Sequence, residues 1–258
     1  MNYILKKIKD AEIIDKPFPH IIISNFLNDD DLEKIIDNIK IDNLNEIEKK
    51  YTKVTYPGAK ATNENLINRP TGIGLVYALK KEYSKNNIKL NTILKCEDFK
   101  KELFKKFNIP KNIDGWNVYQ INKDLNGYEI SPHPDITGKV ITYQINLSNT
   151  DKLNNYDLGT KFHFIKPECL KLIEKEILKK KRPWGKWEWF DDGISIPYKK
   201  NTFMAFAPSD ISYHSVKLEN YPQEKYQRTM LRGFIADSRL LNKKPKNHWT
   251  SGNLINID

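Results

Sequence analysis

The class of fold is indicated by eight consecutive residues, Val140-Ile141-Thr142-Tyr143-Gln144-Ile145-Asn146-Leu147. The residues at odd-numbered positions are all apolar, whereas Thr142, Gln144 and Asn146 between them are polar. Because successive side chains of a strand point to opposite faces, this alternation predicts a β-strand with one apolar and one polar face.

Further strands are predicted on both sides of this segment. Short turns join most of them, which favours an antiparallel sandwich or barrel. One helix interrupts the series at residues 167–181, where leucine and isoleucine recur on one face. We therefore expect a mainly β fold with a core at 116–236 and a helical, aromatic insert at 165–192. The other strands are predicted at residues 117–122, 162–165, 193–197, 202–207, 213–218 and 227–236.

Residues 1–115 are expected to add a strand and helices that flank this core. A β-branched run within 17–26 predicts a buried strand, and Asn28 followed by three aspartates predicts the start of a helix. Residues 51–72 show no clear period and are expected to form a loop. Two more helices are predicted at 73–86 and 95–108.

Composition favours a globular protein. Of the 258 residues, 39% are hydrophobic and 29% charged, and we expect one domain, 1–258, that ends in a polar tail at 237–258. No apolar run approaches the roughly 18 residues of a membrane span, and the amino terminus has no secretory pattern. Cys96 and Cys169 form no CxxC motif, which favours a reducing, cytoplasmic setting. The net charge of +10 is carried mainly by lysine and indicates either a lysine-rich surface or a site for an anion.

A candidate metal site begins at His133-Pro134-Asp135. Residues two positions apart in an extended segment point to the same side, so this imidazole and this carboxylate can bind one cation. The pattern is weak until a third ligand is found. His214 stands at the edge of a short predicted strand, a suitable place for a ligand at a barrel mouth, whereas His163 lies between two phenylalanines and can face either side.

Two neutral imidazoles and one carboxylate form the facial triad of non-haem iron(II) oxygenases. With three protein ligands on one side of the metal, a 2-oxo acid and dioxygen can share the three remaining positions. Zinc accepts the same ligand types, so His133, Asp135 and His214 do not by themselves specify the metal.

A 2-oxo diacid also needs a cation for its far carboxylate, and arginine binds carboxylates through two parallel hydrogen bonds. Arg228 and Arg232 follow His214 by 14 and 18 residues. Both lie on the next predicted strand, and their spacing places them on one face. Arg228 is the first choice for this contact and Arg232 the second.

The order of these motifs resembles the iron(II)/2-oxoglutarate dioxygenases, particularly the branch related to prolyl 4-hydroxylases. Individually the motifs are short, and it is their order along most of the chain that carries the resemblance. They are Pro17-Phe18-Pro19-His20, Phe26-Leu27, Tyr119, Tyr128, His133-x-Asp135, Gly159-Thr160, the segment 206–214 and Arg228. In this branch a Gly-Gly pair is usual where the chain has Leu158-Gly159.

The resemblance implies a double-stranded β-helix, the cupin-like jelly roll, with the metal at one mouth. It implies iron(II), 2-oxoglutarate and dioxygen as reactants, with ascorbate as a candidate reductant. Tyr119 is placed like a tyrosine that contacts the cosubstrate, with ordinary strand packing as the alternative. Asn146 or Gln144 would line the pocket. Related halogenases have a small residue in place of the metal carboxylate, so Asp135 implies hydroxylation or desaturation.

Several alternatives stay open. The primary substrate is expected to be a peptidyl residue such as proline or a small metabolite. The positive charge also allows a nucleic-acid demethylase of the same fold, which is not favoured, and incidental histidines would leave a non-catalytic binding module. The basic and tryptophan-rich segment 179–190 either closes over the metal as a lid or packs the inserted helix onto the barrel.

Overall fold

The computed structural model describes residues 1–54, 75–110, 112–113, 115–135, 138–178, 185–191 and 193–239, and the backbone alone for 176–178 and 255–256. Over these ranges, no helix has both the length and the apolar character needed to cross a membrane.

The core consists of antiparallel strands. In chain order these are β1 (His20–Ile23), β2 (Tyr51–Lys53), β3 (Val76–Leu79), β4 (Gly115–Asp124), β5 (Glu129–His133), β6 (Lys139–Asn146), β7 (Thr160–Phe162), β8 (Ile194–Ile196), β9 (Phe203–Phe206), β10 (His214–Lys217), β11 (Arg228–Asp237) and β12 (Ile255–Asn256). A large sheet has the order β1-β9-β6-β11-β4-β3-β2, with β12 also paired to β4, and a small sheet has the order β5-β10-β7-β8. The predicted mainly β fold is confirmed.

Helices cover one face of the large sheet. They are α1 (Asn2–Asp10), α2 (Asp29–Ile39), α3 (Ile47–Lys50), α4 (Lys81–Asn86), α5 (Ile88–Lys95) and α6 (Glu97–Lys106). A further helix, α7 (Pro167–Leu178), belongs to the insert and packs through Ile173 against Phe190 and Tyr213. Short 3-10 turns lie at Leu44–Glu46, Lys152–Asn155 and Trp187–Trp189. The predicted start of α2 is confirmed, since the Asn28 side chain accepts a hydrogen bond from the backbone N–H of Asp31.

The alternation along β6 separates two different environments. Ile141, Tyr143 and Ile145 pack in the apolar cluster that the helices also enter, and all three are fully buried. On the opposite face, Gln144 accepts a hydrogen bond of 3.0 Å from the hydroxyl of Thr160 on the small sheet. The polar face of β6 therefore lines the space between the two sheets.

The strand β1 forms one edge of the large sheet by pairing with a strand from the second half of the chain. β1 pairs with β9, so that His20 lies opposite Phe206. Just beyond this pair, the Asn201 side chain accepts from Leu27 N at 2.8 Å and donates to Leu27 O at 2.7 Å, across 174 positions of sequence. The first part of the chain is thus built into the jelly roll and does not simply flank it.

Three predictions of local structure are corrected. Residues 73–86 do not form one helix, because Val76–Leu79 is a strand paired with β2 and β4, and only Lys81–Asn86 is helical. The loop predicted at 51–72 begins with strand β2, and its remainder from residue 55 lies outside the described residues. The tail contributes strand β12, while residues 240–254 also lie outside the described part.

Candidate metal centre and cosubstrate pocket

The three predicted metal ligands meet at one end of the small sheet. His133 ends β5 and His214 begins β10, and the two residues face each other in the antiparallel register. Their ring centroids are 4.3 Å apart, and Nε2 of His214 lies 4.0 Å from Oδ2 of Asp135. One ligand atom from each of the three residues lies within 4.8 Å of the others, and in the described residues this is the one such group of three or more metal-ligating side chains.

Backbone carbonyls fix the orientation of both imidazoles. Nδ1 of His133 donates to the carbonyl of Ser131 at 2.9 Å, and Nδ1 of His214 donates to the carbonyl of Ser212 at 3.0 Å. A proton held on Nδ1 leaves the lone pair on Nε2, which is the arrangement that metal-binding histidines adopt. Each strand thus presents its histidine in the tautomer a cation requires.

Asp135 is held on both of its oxygens. Nζ of Lys139 donates to Oδ1, and the hydroxyl of Thr142 donates to Oδ2 at 2.5 Å. The carboxylate and the ammonium are both nearly removed from solvent, with 5% and 10% of their side chains exposed. The buried charge of Asp135 is therefore compensated, and the orientation of its carboxylate is fixed, before a cation binds.

The electrostatics of the cluster favour the ligand form of each residue. Burial, reinforced by His214, lowers the pKa of His133 to about 3, and burial also lowers the pKa of His214. Burial alone would raise the pKa of Asp135, but the charge and hydrogen bond of Lys139 and the two neighbouring imidazoles together outweigh it and hold that pKa below its usual value. Two neutral imidazoles and one carboxylate fit a divalent transition metal with open positions.

Arg228 begins β11 and is fully buried on the face of the large sheet that is turned towards the small sheet. Its Nη1 donates to Oδ2 of Asp124, its Nε donates to the carbonyl of Leu158 at 2.8 Å, and its guanidinium lies 5.1 Å from the ring centroid of Tyr198. Its Nη2 and the buried hydroxyl of Thr202 have no hydrogen-bond partner among the residues that the structure describes. Buried donors without partners are uncommon and indicate a place where a bound molecule completes the bonding.

A pocket opens beside these two unsatisfied groups. Its space amounts to about 230 Å³, a figure that includes open solvent at the mouth. We refer to it as the Arg228 pocket, and it is lined by Gln144, Asn146, Gly159, Thr160, Ile196, Tyr198, Thr202, Met204, Arg228 and Met230.

The Arg228 pocket and the metal centre are neighbours along β6. Thr142 bonds to Asp135, and Gln144, two residues further along the same face, lines the pocket. Two residues of a strand span about 7 Å, so the edge of the pocket at Gln144 lies close to the residue that holds Asp135. On the adjacent strand, Phe206 pairs with Thr142 and its ring centroid lies 5.1 Å from that of His214.

The remaining predicted site residues divide into two groups. Gln144 and Asn146 line the pocket. Arg232 lies on the same face of β11 as Arg228 and donates to the same oxygen of Asp124 at 2.6 Å, but it is not among the lining residues.

Tyr119 does not reach the site. Its side chain lies in the apolar cluster on the helix-covered face, and its hydroxyl donates to Asn91 on α5 at 2.8 Å. The interpretation of Tyr119 as a cosubstrate contact is corrected to the alternative, ordinary packing.

Sequence reasoning missed several residues of the two sites. Asp124 joins the two arginines, Tyr198 packs against Arg228, and Lys139 and Thr142 hold Asp135. Thr142 could have been predicted from the sequence, because it lies on the polar face of β6. Asp124 had no local signal, since its importance depends on the pairing of β4 with β11.

The described part of the insert packs against the outside of the small sheet. The backbone N–H of Gly185 donates to the carbonyl of Pro132 at 2.7 Å, and Trp187 Nε1 donates to Glu129 at 3.2 Å. His163 faces this layer, with its ring centroid 5.7 Å from Trp187. This supports the packing alternative for residues 185–190, while the basic residues 179–182 lie outside the described ranges.

Comparison with known proteins identifies the fold. No protein-family model and no curated protein matches the chain. Among solved structures, it is similar to a prolyl hydroxylase in complex with a hypoxia inducible factor oxygen degradation domain peptide fragment from Trichoplax adhaerens, with a TM-score of 0.53, 12% identity and coverage of 92% of this chain and 89% of that one. It is also similar to a Pseudomonas putida prolyl-4-hydroxylase, with a TM-score of 0.50, 9% identity and coverage of 91% and 97%. The predicted double-stranded β-helix is confirmed.

Proposed function

We propose that the protein is an iron(II)- and 2-oxoglutarate-dependent dioxygenase that hydroxylates a C–H bond of a peptidyl residue or a small metabolite. The observation that carries the proposal is the convergence of His133, Asp135 and His214 beside a pocket that ends in the unsatisfied Nη2 of Arg228. Two of the solved structures with a similar fold are prolyl hydroxylases, one in complex with a peptide, which supports a peptidyl substrate.

His133 and His214 would hold the metal through imidazole nitrogens, and Asp135 would hold it through a carboxylate oxygen. Iron(II) bound there supplies the activation of dioxygen, coupled to the oxidative decarboxylation of 2-oxoglutarate. Asp135 fills the position that must be vacant for a halide to bind, so the ligand set favours hydroxylation or desaturation over halogenation. Ascorbate is included in the proposal as an external reductant.

The charges of the Arg228 pocket fit a diacid. Arg228 and Arg232 share a single carboxylate, Asp124, so one positive charge is not neutralised by these three residues. The far carboxylate of 2-oxoglutarate balances it, and its oxygens can accept from Nη2 of Arg228 and the hydroxyl of Thr202. Buried side chains around the pocket exclude water and strengthen these bonds.

The proposal is tested first by binding and then by turnover. Calorimetric titration with Mn(II), an air-stable substitute for iron(II), is expected to show one site in the wild-type protein and none in His133→Ala or His214→Ala. With iron(II), the wild-type protein is expected to consume oxygen and form succinate only when 2-oxoglutarate is present. A folded wild-type protein that binds neither Mn(II) nor 2-oxoglutarate would refute the function.

A further inference from the structure

We infer that Lys139 is a positioning residue that restricts Asp135 to binding the metal through one oxygen, Oδ2. This inference rests on the proposed function, because it concerns the same metal centre. It adds a residue outside the ligand set and assigns it the task of keeping a coordination position open for the cosubstrate or dioxygen.

The first argument is that the two carboxylate oxygens of Asp135 have different hydrogen-bond partners. Oδ2 is the oxygen that faces His214, at 4.0 Å from Nε2, and it accepts from the neutral hydroxyl of Thr142. Oδ1 accepts from the charged Nζ of Lys139. An oxygen held in a charge-assisted hydrogen bond is much less available to a metal than one held by a hydroxyl, so the structure favours Oδ2 as the ligand atom.

The second argument is that the position of Lys139 is itself fixed. Lys139 begins β6, and its ammonium lies 4.9 Å from the ring centroid of Phe234, on the adjacent strand β11. Only 10% of its side chain is exposed. A lysine held over an aromatic face and beside a buried carboxylate loses little further freedom when it makes this bond, so the contact should persist when a metal binds.

The third argument concerns what a second carboxylate oxygen would do. A carboxylate can bind a cation through one oxygen or two, and binding through two would consume one of the three positions that the triad leaves open. A 2-oxo acid needs two of these open positions and dioxygen needs the third, so the reaction requires that all three stay open. A cation on Oδ1 therefore protects the reaction geometry without contacting any reactant.

The test compares Lys139→Met with Lys139→Arg in the full-length protein. Methionine keeps much of the side-chain length and removes the charge, whereas arginine keeps a charged donor. Lys123→Met serves as the matched control, because Lys123 is also a buried lysine on the large sheet but bonds to the neutral side chains of Gln227 and Thr229 on the helix-covered face. Affinities for Mn(II), and for 2-oxoglutarate in the Mn(II)-loaded protein, are measured by calorimetry.

We expect Lys139→Met to bind Mn(II) at least as tightly as the wild type, because a nearby positive charge is removed and a second oxygen is released. We expect its affinity for 2-oxoglutarate to fall by about 10- to 100-fold, the range typical of residues that support metal ligands. Lys139→Arg should restore most of the affinity for 2-oxoglutarate, and Lys123→Met should leave both affinities unchanged.

Two outcomes overturn the inference while the proposed function stands. One is a Lys139→Met protein that binds both Mn(II) and 2-oxoglutarate like the wild type. The other is a folded Lys139→Met protein, judged by circular dichroism, that loses Mn(II), which would mean that Lys139 holds the ligand in place and does not restrict it. A wild-type protein that fails to bind Mn(II) and 2-oxoglutarate overturns both proposals together.

Discussion

Replacing Arg228 by methionine is the most informative perturbation of the Arg228 pocket. The substitution keeps a long, flexible side chain but removes the charge, the bond to Asp124 and the bond of 2.8 Å to the carbonyl of Leu158. Arg232→Met is the matched variant, since Arg232 lies four residues along the same strand, bonds to the same oxygen of Asp124 and has 24% of its side chain exposed.

The expected effects follow from these contacts. Breaking a buried ion pair by removing one partner lowers the free energy of unfolding by about 3–5 kcal/mol, and we expect the lower end because Arg232 still holds Asp124. A lost hydrogen bond to a charged group is worth about 1.5–3 kcal/mol, which weakens 2-oxoglutarate binding by roughly 10- to 100-fold. Arg232→Met, which removes a residue outside the lining of the pocket, should change the affinity much less.

Two measurements separate stability from binding. Urea denaturation gives the free energy of unfolding of each variant, and calorimetry with 2-oxoglutarate on the Mn(II)-loaded protein gives the affinity. The assignment of Arg228 is refuted if Arg232→Met abolishes 2-oxoglutarate binding while a folded Arg228→Met protein retains it.

Three further predictions test the fold and its electrostatics. Tyr119→Phe should reduce the free energy of unfolding by about 1 kcal/mol, because the hydrogen bond to Asn91 is lost. The affinity for 2-oxoglutarate, measured by calorimetry, should stay unchanged. A large loss of affinity would show that Tyr119 contacts the cosubstrate. Gly233→Ala places a Cβ 2.2 Å from Cζ of Tyr143, so urea denaturation should show a destabilisation of about 1–3 kcal/mol, and an unchanged midpoint would contradict the packing. Burial lowers the pKa values of four histidines in the folded protein: His20, His133, His163 and His214. In the unfolded chain their pKa is near 6.5, so they take up protons as the pH falls below about 6.5. The metal-free protein should therefore lose stability from pH 7 to pH 5, by at most about 1.4 kcal/mol per pH unit for each histidine; His163→Gln should have a shallower profile, and a flat wild-type profile would contradict neutral buried histidines.

The grouping of the candidate ligands was predictable because His133 and Asp135 form a local motif and His214 stands at the edge of a predicted strand. His133 and Asp135 share one side of an extended segment, and His214 begins the strand that pairs with it. The polar face of β6 was likewise evident from its alternation, and the family resemblance implied that Asn146 or Gln144 on this face would line the pocket; both do.

The predictions that failed concern residues whose structure depends on contacts between distant segments of the chain. β4 is buried along both faces, so its sequence has no alternation that separates Tyr119, which faces the helices, from Asp124, which faces the arginines. The helix expected at 73–86 fails for the same reason, because Val76–Leu79 becomes a strand only by pairing with β2 and β4.

The pairing of β1 with β9, and the hydrogen bonds between Leu27 and Asn201 beside it, set an order of events during synthesis. Their mutual hydrogen bonds join residues 174 positions apart. At about 5–20 residues per second, the ribosome needs roughly 9–35 seconds to synthesise the intervening chain, and β1 has no partner strand during that time. The isoleucines at positions 21–23 therefore have no strand to pair with until β9 is made, so β1 is synthesised early and paired late.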